Sequence, residues 1–208
     1  MKFEWRKKAK NLYLPKNKPE LVTIPKFNFF MIHGEGNPNS EKYSEAIGVL
    51  YSLSYAIKML PKKGITPEGY FDYTVFPLEG IWDLAEEARG LSTLNKDKLI
   101  YTIMIRQPEF VTDTLAKEVI QIVKKKKTHP LLHKVKFKSL EDGLCVQMMH
   151  LGSYDKEPES FSIMEDFCIK NNLNRISKTH REIYISDPRK TKTDNLKTVL
   201  RFKVEKGK

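Results

Sequence analysis

The chain of 208 residues carries 37 Lys+Arg against 26 Asp+Glu, a formal charge of +11, and is 40% hydrophobic and 11% aromatic. That is enough apolar matter for a folded core in one domain or two small ones, and it excludes wholesale disorder. Charged residues, 30% of the total, interrupt every apolar stretch before the roughly 18 residues a membrane helix needs, and the basic N-terminal stretch lacks the apolar run of a secretory signal, so a cytoplasmic protein is expected.

Residues 1–25 read as a basic, proline-containing leader whose Phe3, Trp5, Leu12, Tyr13 and Leu14 pack along the body. KFNFFMIHGEG then reads as a buried strand closed by Gly34, Gly36 and Pro38. Ser40 is a candidate N-cap for a helix with Tyr43, Ile47, Leu50 and Ile57 at helical spacing, stopped by Pro61. In YFDYTVFPLEGIW, Phe71, Tyr73 and Val75 alternate with Asp72 and Thr74 as a strand would, and FPLEGIWDL leaves it through Pro77 and a turn at Gly80. The polar stretch AEEARGLSTLNKD leads into a second strand, KLIYTIMIRQ.

An amphipathic helix near residues 112–127 carries Leu115, Val119 and Ile122 on one stripe, with Lys124–Lys127 in its last turn, where cations complement the helix dipole. The order then begins again. GLCVQMMHLGSY is a strand, KEPESFSIMEDFCIKNNL a helix with Phe161, Met164 and Cys168 on one face, and HREIYIS and LKTVLRFKV are strands. Two strand-helix-strand-strand units, about 26–106 and 135–204, imply an α+β fold: a curved antiparallel sheet with helices on one face and a central ligand groove at the seam of the halves.

The sharpest chemical constellation is HREIYISDPR, residues 180–189. On a strand Glu182 and Tyr184 share one face and Ile183 and Ile185 the other. A carboxylate buried beside a phenol needs something to offset its desolvation, such as a cationic or hydrogen-bond-donating ligand; the alternative is a solvated face with Glu182 paired to Arg181 or Lys203. Glu79 and Trp82 form a second candidate, read as loop residues, with Trp82 either a cation-binding surface or a plug for the sheet end. Tyr43, Tyr51, Tyr55, Tyr73, Tyr101 and Tyr154 are more phenols than a core of this size requires.

The runs FNFFMIHGEGNPNSEKYSEAIGVLYSLSYAIKM, FPLEGIW and HREIYISDPRKT resemble the GyrI-like small-molecule-binding family, including its stand-alone members, over residues 20–204. The resemblance implies the duplicated fold with its groove, a domain over 26–208, and a glutamate, matched here by Glu182, that meets cationic aromatic compounds. The stand-alone subfamily it most resembles is similar in hydrolysing the cyclopropane of DNA-alkylating natural products within an aromatic cage. Asp83 departs from the aromatic residue found at that position in many relatives. Glu182 is then the candidate catalytic carboxylate and Tyr184, or another cavity phenol, the candidate donor, while Trp82, Phe76, Tyr43 and Tyr101 are cage candidates and Glu79, His150 and Tyr154 further ligand-binding candidates. Activity or affinity would depend on pH through Glu182.

His33 and His150 end equivalent strands, but no metal-ligand spacing accompanies them, and Pro130 separates His129 from His133. No phosphate loop or nucleophile elbow occurs; Ser153 and Ser186 read as turn residues. Cys145 and Cys168 read as buried thiols. No metal or cofactor is expected, and the expected partners are small aromatic molecules, hydrolysed or only sequestered. A nucleic-acid-binding reading rests on the net charge, Lys124–Lys127 and the basic C-terminus; it ranks lower because the lysines are dispersed and no binding motif accompanies them.

Overall fold

The computed structural model describes residues 2–86, 95–126 and 129–207. In chain order the elements are α1 (Trp5–Lys8), α2 (Lys10–Tyr13), β1 (Glu20–Ile24), β2 (Phe27–Glu35), α3 (Glu41–Lys58), β3 (Leu78–Leu84), β4 (Leu99–Gln107), α4 (Asp113–Lys126), β5 (Lys136–Leu140), β6 (Gly143–Leu151), α5 (Glu157–Lys170), β7 (Leu173–Arg175), β8 (His180–Tyr184) and β9 (Lys197–Lys206). The strand-helix-strand-strand order occurs twice, as β2-α3-β3-β4 and as β6-α5-β8-β9 with β7 inserted. The class is α+β, and the pairing between the strands of each unit is antiparallel.

The chain divides into two compact units, one of residues 1–4, 27–78 and 83–140, the other of residues 5–26, 79–82 and 141–208. In the first, β2 pairs with β4 on one side and β5 on the other. Helix α3 starts where the Ser40 hydroxyl accepts a hydrogen bond from the Tyr43 amide at 3.3 Å, satisfying one of the N–H groups that a helix start leaves over. Its buried Tyr43, Ala46, Leu50, Leu53 and Ile57 follow the helical period and form a core with buried Phe30 and Ile32 of β2 and Ile103 and Ile105 of β4. Tyr43 and Tyr101 meet edge to face, ring centroids 4.9 Å apart. Lys124–Lys126 end α4, as expected; Lys127 and residues 87–94 of the polar stretch lie outside the described residues.

In the second unit β6 pairs with β1 and β9, β9 with β8 and β7, and residues 79–82 with β8. Helix α5 buries Met164 and Cys168 against Val146 and Met148 of β6 and Leu200 and Phe202 of β9. On the opposite sheet face the N-terminal segment is tied to the strands: the Gln147 amide donates to the Asn11 carbonyl at 2.6 Å and Arg201 to the Leu12 carbonyl at 2.6 Å.

Two segments depart from the sequence pattern. Residues 71–75 form no strand; Tyr73 makes one isolated bridge with Phe3, while Lys58 bonds the Asp72 carboxylate and the Tyr73 carbonyl. The stretch taken as a turn, LEGIWDL, is the strand β3 instead. No helix among the described residues is long and apolar enough to cross a membrane.

Candidate functional site

Strand alternation builds the site. In β8, His180, Glu182 and Tyr184 face one way and Arg181 and Ile183 the other. Register carries the pattern to the neighbouring strand: Gly80 lies opposite Glu182, and Trp82 opposite His180. Leu200, opposite Glu182 on β9, packs on α5, and the Phe161 ring of α5 meets the His180 ring edge to face at 4.7 Å. The polar face of β8 is thus the face that α5 covers.

The side chains on that face are joined by a directional chain of hydrogen bonds. Trp82 Nε1 donates to the Tyr184 hydroxyl at 2.8 Å, and that hydroxyl donates to Glu182 Oε2 at 2.8 Å. Indole N–H can only donate, so the Tyr184 proton is directed at the carboxylate. His180 Nε2 stands 3.1 Å from the other oxygen, Oε1. Glu182 is buried, 8% exposed, which sets aside a solvated face for it. The glycine of LEG-x-W serves this arrangement: a Cβ on Gly80 would come within 2.7 Å of Trp82 Nε1 and 3.2 Å of the Tyr184 hydroxyl. Strand glycines often mark such close approach.

A second carboxyl completes the group. Glu157, the first residue of α5, is 7% exposed, and its Oε1 has no hydrogen-bond partner. Its pKa is pushed up to about 10, first by burial and then by the charge of Glu182 and a hydrogen bond to it, with a smaller push from Asp155. A helix N-terminus favours an anion by about 0.3–1 kcal/mol, and here burial beside a like charge outweighs it. Donor atoms of Glu157, His180 and Glu182 lie within 4.8 Å of one another, the one such group of three among the described residues. Both oxygens of Glu182 have hydrogen-bond partners, one from His180 within the group and one from Tyr184. Tyr154, just before α5, sets its ring edge-on to Tyr184 at 6.1 Å; burial, then Glu182 and Glu157, push its phenol up to about 12.

Within the same unit, Glu79 and His150 stand apart from this group. Glu79 is on the opposite face, 2% exposed, where its Oε2 accepts from Arg181 at 2.7 Å while Arg181 also pairs with Asp142 at 2.8 Å. His150 is 3% exposed, with Nε2 2.9 Å from the Ser153 carbonyl and Nδ1 2.8 Å from the Ser160 hydroxyl. The carbonyl can only accept, so Nε2 carries the proton and the ring ties the end of β6 to α5. Tyr43, Tyr101 and Phe76 belong to the first unit. Phe76 stacks on Tyr73 at 6.3 Å under the Arg106 guanidinium, 4.5 Å from its ring. Asp83 accepts a hydrogen bond from the Leu84 amide at 2.8 Å.

Sequence reasoning missed Glu157 and His180, although both carried a signal. Glu157 stands four, seven and eleven residues before Phe161, Met164 and Cys168, on the same inward stripe. His180 shares the strand parity of Glu182 and Tyr184.

The family model described as the GyrI-like small molecule binding domain matches residues 17–205. A hydrolase from Listeria innocua is similar, at 36% identity over 99% of this chain and 100% of that one, with a TM-score of 0.91. An uncharacterised conserved protein of the same organism is 38% identical over 98% and 100%, with a TM-score of 0.89. Another Listeria innocua hydrolase is 34% identical over 98% and 100%, with a TM-score of 0.88. No curated protein matches the sequence.

Proposed function

Because the chain belongs to the GyrI-like small-molecule-binding family, we propose that it binds flat aromatic or cationic xenobiotics at the Trp82–Tyr184–Glu182 face and hydrolyses reactive cyclopropanoid DNA-alkylating compounds. The observation that carries this reading is the buried Glu182, oriented by Tyr184, which is itself oriented by Trp82. Two Listeria relatives described as hydrolases support the catalytic part. Opening a cyclopropane conjugated to a dienone forms a bond from water oxygen to a ring carbon and breaks one ring C–C bond. The electron pair ends on the carbonyl oxygen, which becomes a phenolate. Glu182 positions the water and takes its proton, then returns it to the phenolate, so the sum is addition of one water. Tyr184 turns its O–H from Glu182 to the oxygen that gains charge as Glu182 becomes neutral. Trp82 and Tyr154 offer faces to a flat polycycle. Glu79 and His150 hold the frame, Glu79 through Arg181 and His150 through Ser153 and Ser160.

The second reading is sequestration without turnover, which the same acidic, aromatic face would serve. Incubation with a panel of cyclopropanoid alkylators and aromatic cations, followed by fluorescence for binding and mass spectrometry for products, separates the two. The expected result is binding together with a product heavier by one water. Binding without that product supports sequestration, and absence of both contradicts the small-molecule site.

A further inference from the structure

Two buried carboxyl groups face each other here, and the donors are shared unequally between them. Glu182 has a hydrogen-bond partner on each oxygen, from Tyr184 and His180, whereas Oε1 of Glu157 has none. The Tyr184 hydroxyl, fixed as a donor by Trp82, is spent on Glu182 Oε2, so of the two carboxyls it is Glu157 whose Oε1 has no donor to offset a charge. An unpaired carboxylate at 7% exposure beside another one is costly; a carboxylic acid in that place is not. The charges that act on Glu157 are also both negative, Glu182 and Asp155. Of the groups that face it, His180 comes from β8 beside Glu182, Tyr154 and Asp155 from the turn before α5, and His150 of β6 is bonded to Ser160 one turn along the helix.

We infer that Glu157 holds an exchangeable proton that stands in for a cationic ligand: a positively charged aromatic compound docking against the pair expels this proton and leaves Glu157 and Glu182 both ionised around the ligand's charge. The inference rests on the reading of this face as the ligand site and adds to it a coupling between occupancy and protonation. A ligand cation supplies the compensation that the proton supplies in the empty site, so one proton leaves to the buffer for each cation bound. Affinity for cations therefore rises with pH, while affinity for neutral aromatic compounds of the same shape does not.

The test is calorimetric titration of the full chain with crystal violet at pH 8, in phosphate and in Tris, which differ in ionisation enthalpy. The expected result is a buffer-dependent heat equivalent to release of about one proton per dye, and an affinity that strengthens up to about tenfold per pH unit between pH 7 and pH 9. In Glu157→Gln the heat should become independent of buffer and the affinity flat with pH. Binding by the unmodified protein with equal heats in the two buffers overturns the inference and leaves the ligand site standing. Absence of any binding overturns both. The unmodified chain carries the buffer comparison by itself, so the test does not depend on the variant folding.

Discussion

At the residue scale, Glu157 and Glu182 are chemically alike and kept unlike by their surroundings, one with a partner on each oxygen and the other with an oxygen, Oε1, that has none. This asymmetry has a consequence for stability. The ordinary pKa of the Glu157 carboxyl is 4.5, and in the fold it is pushed up to about 10. Below the ordinary value both folded and unfolded chains hold the proton, and the contribution is fully present. As pH rises the unfolded chain gives the proton up while the folded one retains it, so stability is lost progressively until the folded group titrates too. The slope from this one group is at most about 1.4 kcal/mol per pH unit. Glu157→Gln, neutral at every pH, should therefore melt at a higher temperature than the parent at pH 8 and show a shallower decline between pH 5 and pH 9. Thermal melts across that range check it, and a parallel decline in the two proteins would contradict the assignment. Glu157 was legible in the sequence only as a position, the first of an inward stripe. That it would carry a proton depends on Glu182, 25 residues further along, arriving beside it.

At the scale of elements, β8 buries an ionisable group on each of its faces. One bears the Trp82–Tyr184–Glu182 hydrogen-bond chain, and the other bears Arg181, 5% exposed between Glu79 and Asp142. Arg181→Met should leave buried Glu79 without its ion-pair partner and Asp142 with Lys203 alone, 3.5 Å away, and destabilise the second unit by about 3–5 kcal/mol, measurable as a lowered urea midpoint. Restoration of stability in a triple variant that also carries Glu79→Gln and Asp142→Asn would assign the loss to those uncompensated charges. The elements with an apolar period of 2 or 3.6, such as β2, α3, β4, α5 and β9, were readable because one face meets a core. The short β1 and β5 alternate exposed and half-buried residues along an edge, so composition distinguishes them little from loop. In β3, Pro77 and Gly80 read as turn signals. The glycine is there for a reason of packing, the indole of Trp82 lying over it, which no local pattern reveals.

At the scale of the molecule, the duplication was legible from order alone, because strand, helix and two strands recur with similar strand ends. The net charge of +11 was harder to interpret. The candidate site holds two glutamates and is bounded by Trp82, Tyr154 and Tyr184, opposite in sign to the chain as a whole, whereas lysines such as Lys124–Lys126 are exposed at the end of α4. Diffuse surface charge of this kind binds duplex DNA through counterion release. Any such binding should fall steeply with salt and be lost near about 0.15 M ionic strength, as fluorescence anisotropy with a labelled duplex would show; a complex that survives there would restore a nucleic-acid function.

The proposed function assigns the chemistry of a small-molecule site to Glu182. Its most direct test is to incubate the unmodified chain and Glu182→Gln with the same cyclopropanoid alkylator and follow product mass with time. The expected product is one water heavier than the substrate, formed by the unmodified chain and at least about a hundredfold more slowly by the variant. Equal rates of water addition by the two proteins would contradict it.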